Sequence, residues 1–93
     1  MEAKFITAWA AARAKAETLG VRMRPVSDAD ALKTAKRTLS GTRLSDGFNE
    51  LAAKGGLKLS LEALAVDKRF TTLFTDEEAN EALMRLVEAG YRF

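Results

Sequence analysis

Positively charged side chains are the most prominent chemical groups in the first half of this sequence. Lys33, Lys36 and Arg37 are spaced at i, i+3 and i+4, which places them on one face of a predicted helix. Three arginines lie nearby in the chain, namely Arg22, Arg24 and Arg43. Such a cluster suits either the phosphates of a nucleic acid or an acidic protein surface. These six residues are therefore the candidate contacts to a nucleic acid or an acidic partner.

Charge is divided unevenly between the two halves of the chain. Residues 1–44 hold nine Lys or Arg against four acids, and residues 45–93 hold six against nine, so +5 and −3 sum to the net charge of +2. The basic face therefore has a simpler interpretation, in which it is solvated or pairs with the acidic C-terminal helix of the same or a second chain. Both interpretations stay open at this point.

A sequence-reading helix-turn-helix is not supported by the residues around the basic face. With the turn placed at Gly41, Arg37 falls where the motif needs a small residue. Gly47 and Glu50 fall where the second helix should bury aliphatic side chains, and that helix carries a net negative charge. Nucleic-acid binding would therefore use the basic patch without a reading helix.

Catalysis and metal binding are the function classes that the composition argues against. The chain has no cysteine and no histidine, which excludes disulfides, thiolate nucleophiles, imidazole acid–base catalysis and Cys/His metal sites. An acidic cluster at Asp76, Glu77, Glu78 and Glu81 is conceivable as a Mg²⁺ site, but helix capping explains three of its four members. We expect no enzyme activity, no cofactor and no metal.

A second set of candidate contacts is apolar and lies at the C-terminal end. Met84 lies off the main apolar stripe of the last predicted helix, three residues before Val87 and seven before Tyr91, and Phe93 is terminal. Methionine and aromatic side chains are favoured in adaptable protein contacts. Met84, Tyr91 and Phe93 are therefore candidate protein-contact residues, with closure of the bundle as the alternative.

Apolar periodicity predicts an all-α fold, with residues 1–93 forming a single compact bundle of five or six short helices. The first helix spans about 2–19 and ends at Gly20. Its apolar stripe, which serves as a core face or as a homodimer seam, consists of Phe5, Trp9, Ala12, Ala16 and Leu19. A second helix begins after Ser27 and buries Leu32, Ala35 and Leu39, and a third over about 45–54 buries Leu44, Phe48 and Leu51.

The second half of the chain contains the strongest helix-start signals. Ser60 is the predicted N-cap of a helix that breaks near Val66 and Asp67, and Thr75 with Glu78 forms a predicted capping box. The last helix ends at Gly90, and its predicted core face consists of Ala79, Ala82, Leu83, Leu86 and Val87. The alternation in 57–61 leaves a second option, a two-stranded pairing with 91–93.

These patterns together favour a non-catalytic binding protein. We expect a regulator, inhibitor or adaptor that contacts a protein partner, with a nucleic-acid-binding regulator as the alternative. A homodimer through the first helix is a further option. The N-terminal apolar stretch is too short for a membrane span, and the lack of cysteine favours a cytoplasmic location, so no membrane partner is expected.

Overall fold

The computed structural model describes residues 2–24, 26–41 and 44–91 and is all-α, as the periodicity predicts. Within these residues there are five α-helices and three short 3-10 helices, and no strand. The α-helices are α1 (Glu2–Thr18), α2 (Ala31–Ser40), α3 (Phe48–Ala53), α4 (Leu61–Ala65) and α5 (Asp76–Glu88). The 3-10 helices are Asp28–Asp30, Leu57–Leu59 and Thr71–Leu73.

The predicted stripe of α1 faces the core, except at its last position. Four of its five members are buried, namely Phe5, Trp9, Ala12 and Ala16, whereas Leu19 lies beyond the helix and is partly exposed. Gly20 ends the helix with a positive φ of 82°, and the Val21 amide donates to the Ala16 carbonyl at 3.0 Å. Together these features form a Schellman motif, the helix end that a glycine at this position predicts.

Phe5 is the centre of the main core. Its ring is fully buried, and its centroid lies 5.7 Å from that of Trp9, 5.6 Å from Phe70 and 5.5 Å from Phe74. The contacts with Phe70 and Phe74 are edge-to-face, the arrangement that the ring quadrupoles prefer. A smaller cluster of Phe48, Leu57 and Leu86 closes the other end of the molecule.

The third helix begins later than predicted because of Gly47. This residue adopts a left-handed φ of 76° and precedes α3, so the helix cannot start at Ser45. A Cβ atom at position 47 would lie 2.9 Å from Val21 Cγ1 and 3.1 Å from Met23 Cγ. The glycine therefore lets the 21–24 connector pack tightly against this loop. Leu44, expected in the core, is 40% exposed.

The predicted strand pairing of 57–61 with 91–93 is wrong where the structure describes it. Leu57–Leu59 is a 3-10 helix, and the Ser60 side chain caps α4 by accepting a 3.2 Å hydrogen bond from the Ala63 amide. Leu57, Leu59 and Leu61 are buried, but Ser60 between them is fully buried as well, so the alternation does not separate an inner from an outer face. Tyr91 closes α5 through its amide, which donates to the Leu86 carbonyl at 2.9 Å. Residues 92 and 93 lie outside the described residues.

The break after α4 and the capping box of α5 are confirmed. The chain leaves α4 at Ala65, and the next helical element is the 3-10 helix Thr71–Leu73. Thr75 Oγ1 accepts from the Glu78 amide at 3.1 Å, and Glu78 Oε1 accepts from the Thr75 amide at 2.8 Å. These reciprocal bonds satisfy two amides that the helix start would leave unpaired.

Candidate binding surfaces

The basic residues that the sequence groups together do not form one free surface. Arg22, Lys33 and Arg37 are exposed. Arg24 is also exposed, but its Nε lies 3.6 Å from Asp46 Oδ2, and its amide donates to the same oxygen at 3.0 Å. Arg43 lies outside the described residues.

Lys36 makes contacts within the chain rather than lying free beside Lys33 and Arg37. Its Nζ donates to Glu78 Oε1 at 2.8 Å and to the Leu73 carbonyl at 3.0 Å, and it lies 5.6 Å from the centre of the Phe74 ring. The basic face of α2 is thus partly neutralised by α5 of the same chain, which was the simpler interpretation of the charge pattern.

The Lys36–Glu78 pair gives a pH-dependent prediction. Burial opposes ionisation of the Glu78 carboxyl, but its hydrogen bonds to Lys36 and Thr75, with the Lys36 charge, outweigh that effect and hold the pKa of Glu78 below its usual value. A depressed folded-state pKa stabilises the fold above the unfolded carboxyl's pKa, and this contribution is lost as the pH falls through the folded pKa. We expect Lys36→Met to be less stable than the parent at pH 7, and the deficit to shrink between about pH 5 and pH 3.

Urea unfolding at a series of pH values measures this difference, with Lys33→Met as the matched control. Lys33 lies on the same helix but is exposed. Its substitution should change stability little at any pH in that range. A Lys36→Met deficit that persists unchanged in acid would contradict the role assigned to the pair.

The outer face of α5 is the most apolar exposed surface among the described residues. Leu83 is 40% exposed, Met84 51% and Val87 58%. Positions 83 and 87 are separated by one turn and 84 lies beside them, so the three side chains are neighbours. We call these three residues the α5 strip. Leu83 and Val87 were expected in the core, and that expectation is wrong.

Tyr91 does not extend the α5 strip. Tyr91 is only partly exposed and packs against the small cluster that contains Phe48 and Leu86. Phe93 lies outside the described residues. Of the three predicted protein-contact residues, Met84 is the one that the structure places on an exposed apolar surface.

The orientation of α5 follows from a buried ion pair that sequence reasoning missed. Arg85 and Glu62 have side chains that are 4% and 0% exposed, and Arg85 Nη1 lies 3.1 Å from Glu62 Oε2. The same guanidinium donates to Glu81 Oε2 at 2.8 Å and, through Nη2, to the Thr38 and Gly41 carbonyls at 3.3 and 3.0 Å. α5 is therefore rotated to bury Arg85, and its aliphatic side chains at 83 and 87 face outward.

Glu62 also accepts two hydrogen bonds from Ser45. The amide of Ser45 donates to Glu62 Oε2 at 3.1 Å, and the Ser45 hydroxyl donates to Glu62 Oε1. The network thus joins α4, α5, the C-terminal end of α2 and the loop before α3. The available sequence signal was an acid placed between Leu61 and Leu64 in an otherwise apolar segment.

An open cleft of about 780 Å³ lies between α1, the 21–27 connector, α2 and the loop that follows α2. Trp9 and Arg13 line it from α1, and the Arg13 guanidinium lies 5.0 Å from the centre of the Trp9 ring. Arg24 and Arg37 line it from the connector and from α2. The cleft thus brings together two of the predicted basic residues with an aromatic side chain.

The described residues contain neither a metal-binding cluster nor a membrane-spanning helix. In the part of the chain that the structure describes, no group of three or more acids is arranged to hold a metal ion. None of the helices in residues 2–24, 26–41 and 44–91 has the length and apolar character needed to cross a bilayer. Comparison with protein-family models, with curated proteins and with solved structures gives no significant match.

Proposed function

We propose that this protein is a non-catalytic regulator, inhibitor or adaptor that binds a basic amphipathic segment of a protein partner on the α5 strip. The observation that carries the proposal is the exposure of three adjacent large apolar side chains, Leu83, Met84 and Val87, on one helix face. Contiguous exposed apolar groups favour contact with another macromolecule, because burial of such a surface is energetically favourable.

The charges around the α5 strip define the chemistry of the partner. Asp76 and Glu77 are exposed at the start of α5, and Glu88 is exposed at its end. The apolar strip therefore has negative charge at both ends. A helical segment with a narrow aliphatic face and flanking Lys or Arg side chains complements it in both respects.

A second copy of this chain is a poorer occupant. Antiparallel packing of two α5 helices would bring Asp76 and Glu77 of one copy close to Glu88 of the other, and like charges at close range oppose association. The predicted α1 seam does not help, since Phe5, Trp9, Ala12 and Ala16 pack into the chain's own core.

Synthetic peptides provide the direct test. The probe is an 18-residue helical peptide, roughly five turns long, with leucines at i, i+3, i+4 and i+7 spacing and lysine at its other positions. The comparison peptide has glutamate in place of every lysine. Isothermal titration calorimetry should show saturable binding of the lysine peptide and binding at least about tenfold weaker for the glutamate peptide.

Matched variants locate the binding surface. Leu83→Gln with Val87→Gln should weaken binding of the lysine peptide by roughly tenfold or more, because two exposed aliphatic groups lose their burial. Leu44→Gln is the control, because Leu44 is 40% exposed, as Leu83 is, but belongs to the loop before α3 and lines the cleft. Equal binding by both peptides, or equal loss in the control, would refute the proposal.

The nucleic-acid alternative is tested in the same experiment with random duplex DNA. Arg22, Lys33 and Arg37 are the exposed predicted contacts that form no ion pair among the described residues, so a log–log salt slope of roughly −2 to −3 would be expected. Binding to DNA that is lost in Lys33→Gln with Arg37→Gln, together with no binding of the lysine peptide, would replace the protein-binding proposal with this one.

A further inference from the structure

We propose that the cleft between α1 and α2 binds a small organic monoanion, in which a carboxylate is joined to an apolar body. This site is separate from the α5 strip, since no described residue of α5 lines the cleft. The proposal rests on unpaired donors, local charge and wall composition, and it stands whether or not the α5 strip binds a protein.

The first observation is that two residues lining the cleft each carry a buried donor that lacks a hydrogen-bond partner among the described residues. These donors are Trp9 Nε1 and Arg13 Nη1. The Trp9 side chain lines the cleft although the residue is only 6% exposed. A buried donor without a partner is destabilising, so native structures usually satisfy such groups. Both groups are donors only, so a partner that satisfies them is a hydrogen-bond acceptor, as a carboxylate is.

Local charge supports a single negative charge on that partner. Three arginines line the cleft, Arg13, Arg24 and Arg37, against the two acids Asp30 and Asp46. The cleft walls therefore carry one excess positive charge. Two acids on the walls disfavour a polyanion such as a nucleotide, whereas a carboxylate matches the excess.

Arg13 is the residue best placed to hold the carboxylate. Burial lowers the pKa of its guanidinium, and the nearby charge of Asp28 opposes that effect. A partly desolvated guanidinium with a free N–H makes a stronger bond to an anion than one in bulk water does. The indole N–H of Trp9, one turn earlier on α1, is a second donor without a partner among the described residues.

The remaining wall suits the apolar body of the ligand. Met23, Val26, Leu44 and Leu61 line the cleft beside the Trp9 ring. A volume of about 780 Å³ lies within the range of small-molecule sites, about 300–1,000 Å³. The composition follows the usual pattern of such sites, an apolar wall with a few directed polar groups.

Trp9 provides a direct readout, because it is the only tryptophan in the sequence. The probe is 4-phenylbutyrate, and the matched neutral compound is 4-phenylbutanamide. In a ¹H–¹⁵N spectrum, the single indole N–H resonance should shift downfield and saturate as 4-phenylbutyrate is added. The amide should bind at least roughly tenfold more weakly, since it lacks the charge-assisted bond.

Variants test whether the anion lies against Arg13. Arg13→Met should weaken 4-phenylbutyrate binding roughly tenfold to hundredfold. Arg69→Met is the matched control, because Arg69 also lies over an aromatic ring, 4.8 Å from the centre of Phe70, but does not line the cleft. If Arg13→Met does not fold, Arg37→Gln on the exposed edge serves in its place and should also weaken binding.

Three outcomes would overturn the proposal. The first is an indole resonance that does not respond to millimolar 4-phenylbutyrate in the folded parent protein. The second is an equal response to the acid and the amide, and the third is a response that is unchanged in Arg13→Met and Arg37→Gln. None of these outcomes bears on the peptide experiment, since that experiment measures binding to α5.

Discussion

Replacing Arg85 with methionine is expected to cost about 3–5 kcal/mol of folding stability. The substitution leaves the Glu62 carboxylate, which is fully buried, without its countercharge. It also removes the donors to the Thr38 and Gly41 carbonyls at the end of α2. A single domain of this kind has a total stability of about 5–15 kcal/mol, so urea unfolding should show a large fall in the midpoint, with complete unfolding as the extreme.

A double variant distinguishes loss of the ion pair from loss of packing. The double variant Arg85→Met with Glu62→Leu removes both charges, and we expect it to be more stable than Arg85→Met alone. Glu81→Ala is the second control. Its carboxylate is 34% exposed, and its loss should cost less than about 1 kcal/mol. A double variant no more stable than Arg85→Met would show that the buried charge of Glu62 is not the source of the cost.

Replacing Phe5 with alanine is expected to cost about 3–5 kcal/mol. The ring is fully buried and contacts three aromatic side chains, those of Trp9, Phe70 and Phe74. Its removal leaves a cavity between α1 and the segment before α5. The neighbouring side chains are closely packed, so they relax into such a cavity only in part. Thermal and urea unfolding, followed by circular dichroism, measure the change.

Two comparisons test the interpretation of the Phe5 result. Phe5→Leu retains most of the apolar volume and should be clearly less damaging than Phe5→Ala. Val87→Ala removes aliphatic atoms from a residue that is 58% exposed and should change stability by no more than about 0.5 kcal/mol. A Phe5→Ala variant as stable as Val87→Ala would contradict the central position assigned to this ring.

The features that sequence analysis predicted correctly are local ones. The buried stripe of α1, its end at Gly20 and the capping box of Thr75 and Glu78 depend on residues within about one or two turns of each other. Helical periodicity and capping rules operate at that range. The all-α class follows from the same local signals.

The orientation of α5 could not be predicted because it depends on a residue in another helix. An aliphatic stripe normally marks the buried face of a helix, and an arginine normally marks the solvent face. Here Glu62 of α4 draws Arg85 inward, which places Leu83 and Val87 on the surface. A buried ion pair between two helices has no local sequence pattern. The exposure of Leu83 and Val87 beside Met84 therefore could not be predicted from the sequence.

For the candidate sites too, the sequence predicted the local features and not the contacts between distant segments. The basic residues of α2 were predicted from helical spacing, but the pairing of Lys36 with Glu78 and of Arg24 with Asp46 depends on how distant segments pack. The cleft has walls from α1, α2 and two connecting segments. The i, i+4 spacing of Trp9 and Arg13 was visible in the sequence, whereas the missing partners of their N–H groups were not.

The close approach of Gly47 to Val21 has an evolutionary consequence. Any side chain at position 47 would collide with Val21 Cγ1, at 2.9 Å, and would also have to adopt a left-handed backbone. Loss of this glycine is therefore expected to require a smaller residue at position 21 and a rebuilt loop. Substitutions at positions 21 and 47 should accordingly occur together in homologues of this chain.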